Sequence, residues 1–184
     1  MNGFTHGVGG ACTGIITASL LNIERPEAVA TLVISSIIGA YAVDLDEPHS
    51  RAGQKVKPIS WSIKKIFGHR GILHTPFFIA LITAGLYYLH LNFAPTLFPK
   101  IDYDIFPWMY YICIGNLIGY CSHLILDALT PQGVMFLFPI SHSYISFADW
   151  RSKNRDVICT VIMILFTVMY LLLKYKVLSI NVNM

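Results

Sequence analysis

The feature that most constrains this chain is the length of its uncharged runs. No Asp, Glu, Lys or Arg occurs between Arg70 and Lys100, between Asp104 and Asp127, or between Asp156 and Lys174. A bilayer hydrocarbon core takes about 20 apolar helical residues to cross. Lipid offers no partners to the backbone, so each crossing segment must pair its own N–H and C=O groups. Composition agrees, since 12% of residues are charged where soluble domains carry about a quarter. The expected fold class is an all-α, polytopic membrane helix bundle, one domain over residues 1–184.

Five spans are expected, at about 7–23, 28–43, 72–92, 105–126 and 157–173. The first two are short, and could tilt, thin the bilayer or form a hairpin through "NIERPE" (22–27). "GVGGACTG" (7–14) and "SSIIGAYA" (35–42) supply the small residues that let membrane helices approach closely. The opening "MNGFTHGVGG" has no basic region and no cleavage pattern follows it, so a cleavable signal is not expected. The four cysteines lie in apolar segments without C-x-x-C spacing and are expected as buried hydrophobes.

With five spans, the N-terminus and the loops 44–70 and 130–156 share one side, which holds nine of the 13 lysines and arginines. Basic residues accumulate on the cytoplasmic side, so a cytoplasmic N-terminus is expected. "LYYLHL" (86–91) and "PWMYY" (107–111) then mark the opposite interface, and Trp61 and Trp150 mark the cytoplasmic one. "WSIKKIF" (61–67) reads either as a helix lying flat at the headgroups or as a solvated loop helix.

Ionisable residues inside this framework are confined. His6, Asp44, Asp46, His49, His69, Arg70, His74, His123 and Asp127 all fall at the cytoplasmic ends of the expected spans. His123 and Asp127 are spaced i, i+4, which places both on one helix face. A turn at "DLD" lets Asp44 and Asp46 both contribute, and Thr75–Pro76 reads as N-cap and first residue of a helix. Imidazole and carboxylate without thiolate suit Zn²⁺ best, with Mn or Fe as alternatives. The candidate ligands are His6, Asp44, Asp46, His49, His69, His74, His123 and Asp127, enough for one or two ions. Singly, each has an ordinary structural explanation: Asp127 as the cap of the "TPQG" turn, the aspartates of "DLD" as the solvated end of a span. His90 lies on the other side and is expected to be structural; His142 has no spaced partner.

At these residues the chain resembles the YdjM-like family of bacterial inner-membrane proteins, described as metal-dependent hydrolases. The matching pieces are "TH" (5–6), "DLDEPHS" (44–50), "HRGILHT" (69–75) and "HLILDALTPQGV" (123–134), in the family's order. Val43 stands where a proline is expected before the first aspartate. The resemblance implies a bacterial inner-membrane location and a distant similarity to zinc-dependent phospholipase C and P1-type nucleases. His123 and Asp127 then resemble their His-x-x-x-Glu pair, with Asp for Glu.

The expected function is therefore a metal-dependent hydrolase acting on a phosphoester, such as a phospholipid headgroup, at the cytoplasmic interface. Asp46 is expected as general base, and Arg70 as the cation that stabilises phosphate charge. A metal or ion transporter is the first alternative, although midplane sites and internal repeats are lacking in the sequence. A membrane adaptor with a structural metal is the second. The partners expected are the bilayer and a phosphorylated substrate, without a clear nucleic-acid surface, since net charge is only +3.

Overall fold

The computed structural model describes residues 1–67, 72–97, 106–148, 151 and 154–182. His69, Arg70 and Trp150 lie outside the described residues. Those described form seven α-helices and no strands: α1 (Gly3–Leu20), α2 (Pro26–Ala42), α3 (Arg51–Lys55), α4 (Lys57–Phe67), α5 (Pro76–Leu97), α6 (Phe106–Ala128) and α7 (Arg155–Val182). The all-helical membrane fold is as the sequence predicts.

Local chemistry sets the helix starts. The Asn2 side chain accepts from the Thr5 backbone N–H at 2.8 Å and opens α1. Pro26 occupies the first turn of α2, where its missing N–H costs nothing. At α5 the expected cap is present, with the Phe78 N–H donating to Thr75 Oγ1 at 3.2 Å and Pro76 beginning the helix. A 3-10 turn, Val43–Asp46, continues α2, and another, Ile72–His74, leads into α5.

Among the described residues three segments are long and apolar enough to cross a membrane: Pro26–Asp46, Trp108–Ala128 and Arg155–Tyr175. They correspond to the second, fourth and fifth expected spans. The first and third expected spans are helical, but α1 falls below that measure, and the apolar helix at the start of α5 is the shorter Pro76–Leu89.

The packed centre is α1, α2 and α6, with α7 against α1 and α5 against α6. Small residues make it possible. A methyl group at Gly119 would overlap the backbone carbonyl of Ser36, and one at Gly10 would sit 2.7 Å from the same oxygen. Ser36 in turn donates from Oγ to the Gly10 carbonyl at 2.7 Å, a buried bond across the α1–α2 interface. Helices without a hydrophobic drive between them associate through such close van der Waals and hydrogen-bond contact.

The two ends of the bundle differ. At one, Lys174 of α7 donates to the Ser19 carbonyl and to Asn22 Oδ1, and the Arg25 guanidinium lies 5.9 Å from the Trp108 ring centroid. At the other, a small apolar cluster (Val43, Ile79, Tyr120, Leu124, Ala128, Val134) joins the 3-10 turn after α2, α5 and α6 to the segment after α6. That segment turns at Gly133, whose φ of 66° favours glycine. It folds back so that Val134 and Ile145 exchange backbone hydrogen bonds at 3.0 and 2.9 Å.

Candidate metal centre

His6 lies in the second turn of α1, Asp44 in the 3-10 turn after α2, His74 in the turn before α5, and His123 and Asp127 on α6. All five meet at one end of the bundle. Two overlapping groups each bring three donor atoms within 4.8 Å of one another: His6, His123 and Asp127, and Asp44, His74 and His123. His123 belongs to both.

Asp127 is central. Its Oδ1 lies 3.3 Å from His6 Nε2 and 3.0 Å from the Met1 amino nitrogen. Its Oδ2 lies 3.5 Å from His123 Nε2 and 3.8 Å from His74 Nε2. The turn that follows is capped by the Asp127 backbone, whose carbonyl accepts from the Thr130 hydroxyl at 2.7 Å and the Thr130 N–H at 3.0 Å. The capping role that competed for this residue thus falls to the main chain, and the carboxylate faces the histidines. Asp44 Oδ1 closes the other side, 3.7 Å from His123 Nε2 and 4.0 Å from His74 Nε2. The His6 and His123 rings stack with centroids 3.6 Å apart.

The orientation of His123 follows from a contact absent from the sequence motifs. Its Nδ1 lies 2.7 Å from the Ala40 carbonyl of α2. A carbonyl can only accept, so Nδ1–H donates and the Nε2 lone pair turns toward the carboxylates. That Nε2 is buried without a hydrogen-bond partner, on a side chain with 0% exposure. Buried polar atoms are normally satisfied. An imidazole lone pair held in a buried site between two carboxylates fits a cation, and the imidazole–carboxylate donor set fits a divalent metal such as Zn²⁺.

The remaining candidates are placed differently. Asp46 is fully buried behind His74, its Oδ2 3.3 Å from His74 Nδ1. It therefore lies beside the His74 ring nitrogen opposite the one that faces Asp127, outside both groups of three donors. His49 is exposed and its N–H donates to Glu47 Oε1 at 3.2 Å, so the structure does not bring it to the cluster. His142 is also exposed, with its ring edge-on to Phe138. The Ala40 carbonyl had no signal in the sequence, because a backbone acceptor carries no residue-type signature.

The model of the YdjM inner membrane protein family matches residues 1–181. Inner membrane protein YdjM of Escherichia coli (strain K12) is 34% identical over 108 residues, covering 59% of this chain and 49% of that protein. The YdjM protein of Shigella flexneri gives the same figures. Protein YvsG of Bacillus subtilis (strain 168) is 29% identical over 139 residues, covering 76% of this chain and 74% of its own. The match thus spans about half the length of the first two relatives. No solved structure matches.

Proposed function

This chain belongs to the YdjM inner membrane protein family, and on that premise we propose that it is a membrane-embedded, metal-dependent hydrolase of phosphoesters, with a lipid headgroup as substrate. The observation that carries the reading is the convergence of two overlapping groups of three donors, the buried His6, His123 and Asp127 and the partly buried Asp44 with His74 and His123, with the His123 Nε2 lone pair directed between them. These five residues are assigned as holders of one or two divalent ions, Zn²⁺ ahead of Mn or Fe. Such an ion, when bound, supplies a Lewis acid that polarises a phosphoryl oxygen and acidifies water.

The chain's own groups have separate tasks in this reading. The Ala40 carbonyl holds His123 in one tautomer, and in this reading the Asp46 carboxylate, 3.3 Å from His74 Nδ1, helps to orient the His74 ring. Asp44 has 17% side-chain exposure, against 0% for Asp46 and 2% for Asp127. It is the carboxylate that solvent reaches, so in this reading Asp44 is the metal-holding group on the side open to incoming water and substrate. The excess of basic residues on this side of the bundle supports a cytoplasmic site and N-terminus.

A lipid is favoured over a soluble ester by two surfaces near Asp44. A groove of about 850 Å³, lined by Ile38, Tyr41, Ala42, Leu45 and Val56 among others, runs beside the 3-10 turn. On α4, Ile59, Trp61 and Ile66 are exposed while Lys64 pairs with Glu47 at 2.9 Å, the composition of a helix lying in the headgroup layer.

The test is replacement of His123 or Asp127 by Ala in detergent-purified protein. Both variants should remain folded and lose metal loading, read by elemental analysis, together with turnover across a phosphoester panel. Normal turnover in both would remove the basis of the proposal.

A further inference from the structure

The segment after α6 forms a surface that the metal centre does not use. No Asp, Glu, Lys or Arg occurs between Asp127 and Asp149, where a solvated stretch of that length would carry about five. Its large apolar side chains are turned outward. Leu137, Tyr144 and Phe147 are exposed, and Ile140 is 92% exposed, more than any other large apolar residue described. We infer that the hairpin 134–145 is a membrane finger, with its tip (137–141) seated in the bilayer leaflet nearest the metal centre, where headgroups meet acyl chains. The inference stands apart from the hydrolase reading.

Ordered contacts hold the apolar residues outward. Below the Val134–Ile145 pair, the Phe147 N–H donates to the Ala128 carbonyl at 2.8 Å, and Ser146 Oγ donates to the Thr130 carbonyl at 2.8 Å. The Phe136 and Phe147 rings stack with centroids 5.4 Å apart. At the tip, the Ser141 N–H donates to the Leu137 carbonyl at 3.0 Å and closes a turn around Phe138, Pro139 and Ile140. That bond, and the missing N–H of Pro139, reduce the backbone groups that an apolar medium would leave without partners.

The depth of the tip follows from α5. His74, at the entrance to α5, lies 3.8 Å from Asp127, near the end of the α6 segment that is able to cross a membrane. Five residues on, Ile79 joins the same cluster as Leu124 and Tyr120, one and two turns back along α6. The two helices therefore run antiparallel, and Phe77 stands beside the last turns of that α6 segment. Phe138 meets Phe77, with ring centroids 5.9 Å apart. Phe77 and Leu81 are exposed one turn apart on α5, so the finger continues an apolar face that α5 already presents. A tip fixed at this level brings Ile140 to the depth of the bilayer boundary. Lipid is the occupant that fits, because an uncharged surface of aliphatic and aromatic side chains gains its contact there without a charged counterpart.

The experiment places a nitroxide label at Ile140→Cys in the full chain, reconstituted in phosphatidylcholine nanodiscs. Cys12, Cys113 and Cys159 are buried, so Cys121→Ala removes the exposed native thiol and supplies the background. Collision rates are then measured by power-saturation spectroscopy with two reagents, oxygen, which concentrates in lipid, and a nickel chelate, which stays in water. Leu165→Cys, on the outward face of α7, gives the lipid reference. Oxygen collisions at Ile140→Cys should exceed nickel collisions, as they do at the reference. Leu137→Cys, in the same exposed turn, provides the reading if the first variant fails to reconstitute. Nickel collisions equal to or above those of oxygen place the tip in water and overturn the inference. Low rates with both reagents show that protein covers the tip, a second copy first of all, and overturn it equally. The readout needs neither metal nor turnover, so failure of the hydrolase reading leaves it intact.

Discussion

The helices α6 and α7 both contain a 21-residue segment able to cross a membrane, yet they are built on opposite terms. The α6 segment has a mean hydropathy of 1.3 and 44% of its residues buried, whereas the α7 segment reaches 2.5 with 17% buried. The less apolar helix is the more buried one. In water the order would be reversed, because burial there is driven by removing apolar surface from solvent. Lipid is as apolar as leucine, so an outward-facing helix needs only a continuous hydrophobic surface. On α7 that surface is Ile162, Leu165, Phe166, Met169 and Leu172, all exposed on the protein. A helix facing inward is free to carry glycine for close approach and His or Asp for chemistry, as α6 does at Gly119, His123 and Asp127.

This contrast can be broken most forcefully at Gly119. Gly119→Val places branched carbon atoms where the Ser36 backbone already lies, and α6 must separate from α2. A stability loss of about 3 kcal/mol is expected for such overpacking, read as a lower midpoint in detergent-denaturant unfolding. An unchanged midpoint would mean that the α2–α6 contact does not set the bundle.

Asp46→Asn tests the layer behind the cluster. The change keeps shape and removes the carboxylate beside His74 Nδ1, so metal affinity should fall about 10–100-fold. Competition with a chelator of known affinity measures it. Wild-type affinity in the variant would return Asp46 to a purely structural role.

The smallest effect is expected on α7. Leu165 is 62% exposed, and Leu165→Ala should shift stability by no more than about 0.5 kcal/mol in the same unfolding assay. A loss approaching that of Gly119→Val would show that α7 buries this face against something other than lipid.

Much of this was legible along the chain. Thr75 and Pro76 are local signals, and the helix start they encode is found where it was expected. The i, i+4 spacing of His123 and Asp127 likewise needs only helical geometry, and the structure holds them 3.5 Å apart. Other assignments depended on distances the sequence does not contain. Asp44 and Asp46 share a motif, but the 3-10 turn sends one to the cluster and the other behind His74. His49, three residues beyond Asp46, is carried out to the surface. The adequacy of α1 as a helix is a further case: Gly, Ser and Thr lower its apolarity, but those residues are what allow it to press against α2.

The sequence by itself determined that the chain is a bundle of apolar helices and that His and Asp collect at one end of it. Both follow from one-dimensional facts, the length of uncharged runs and the positions of residues relative to helix termini. Tertiary structure alone decided which of those residues share a centre and that the Ala40 carbonyl turns His123 toward it. Such outcomes depend on the rotation of each helix about its axis, which close contacts such as Gly119 against Ser36 determine and no local pattern records.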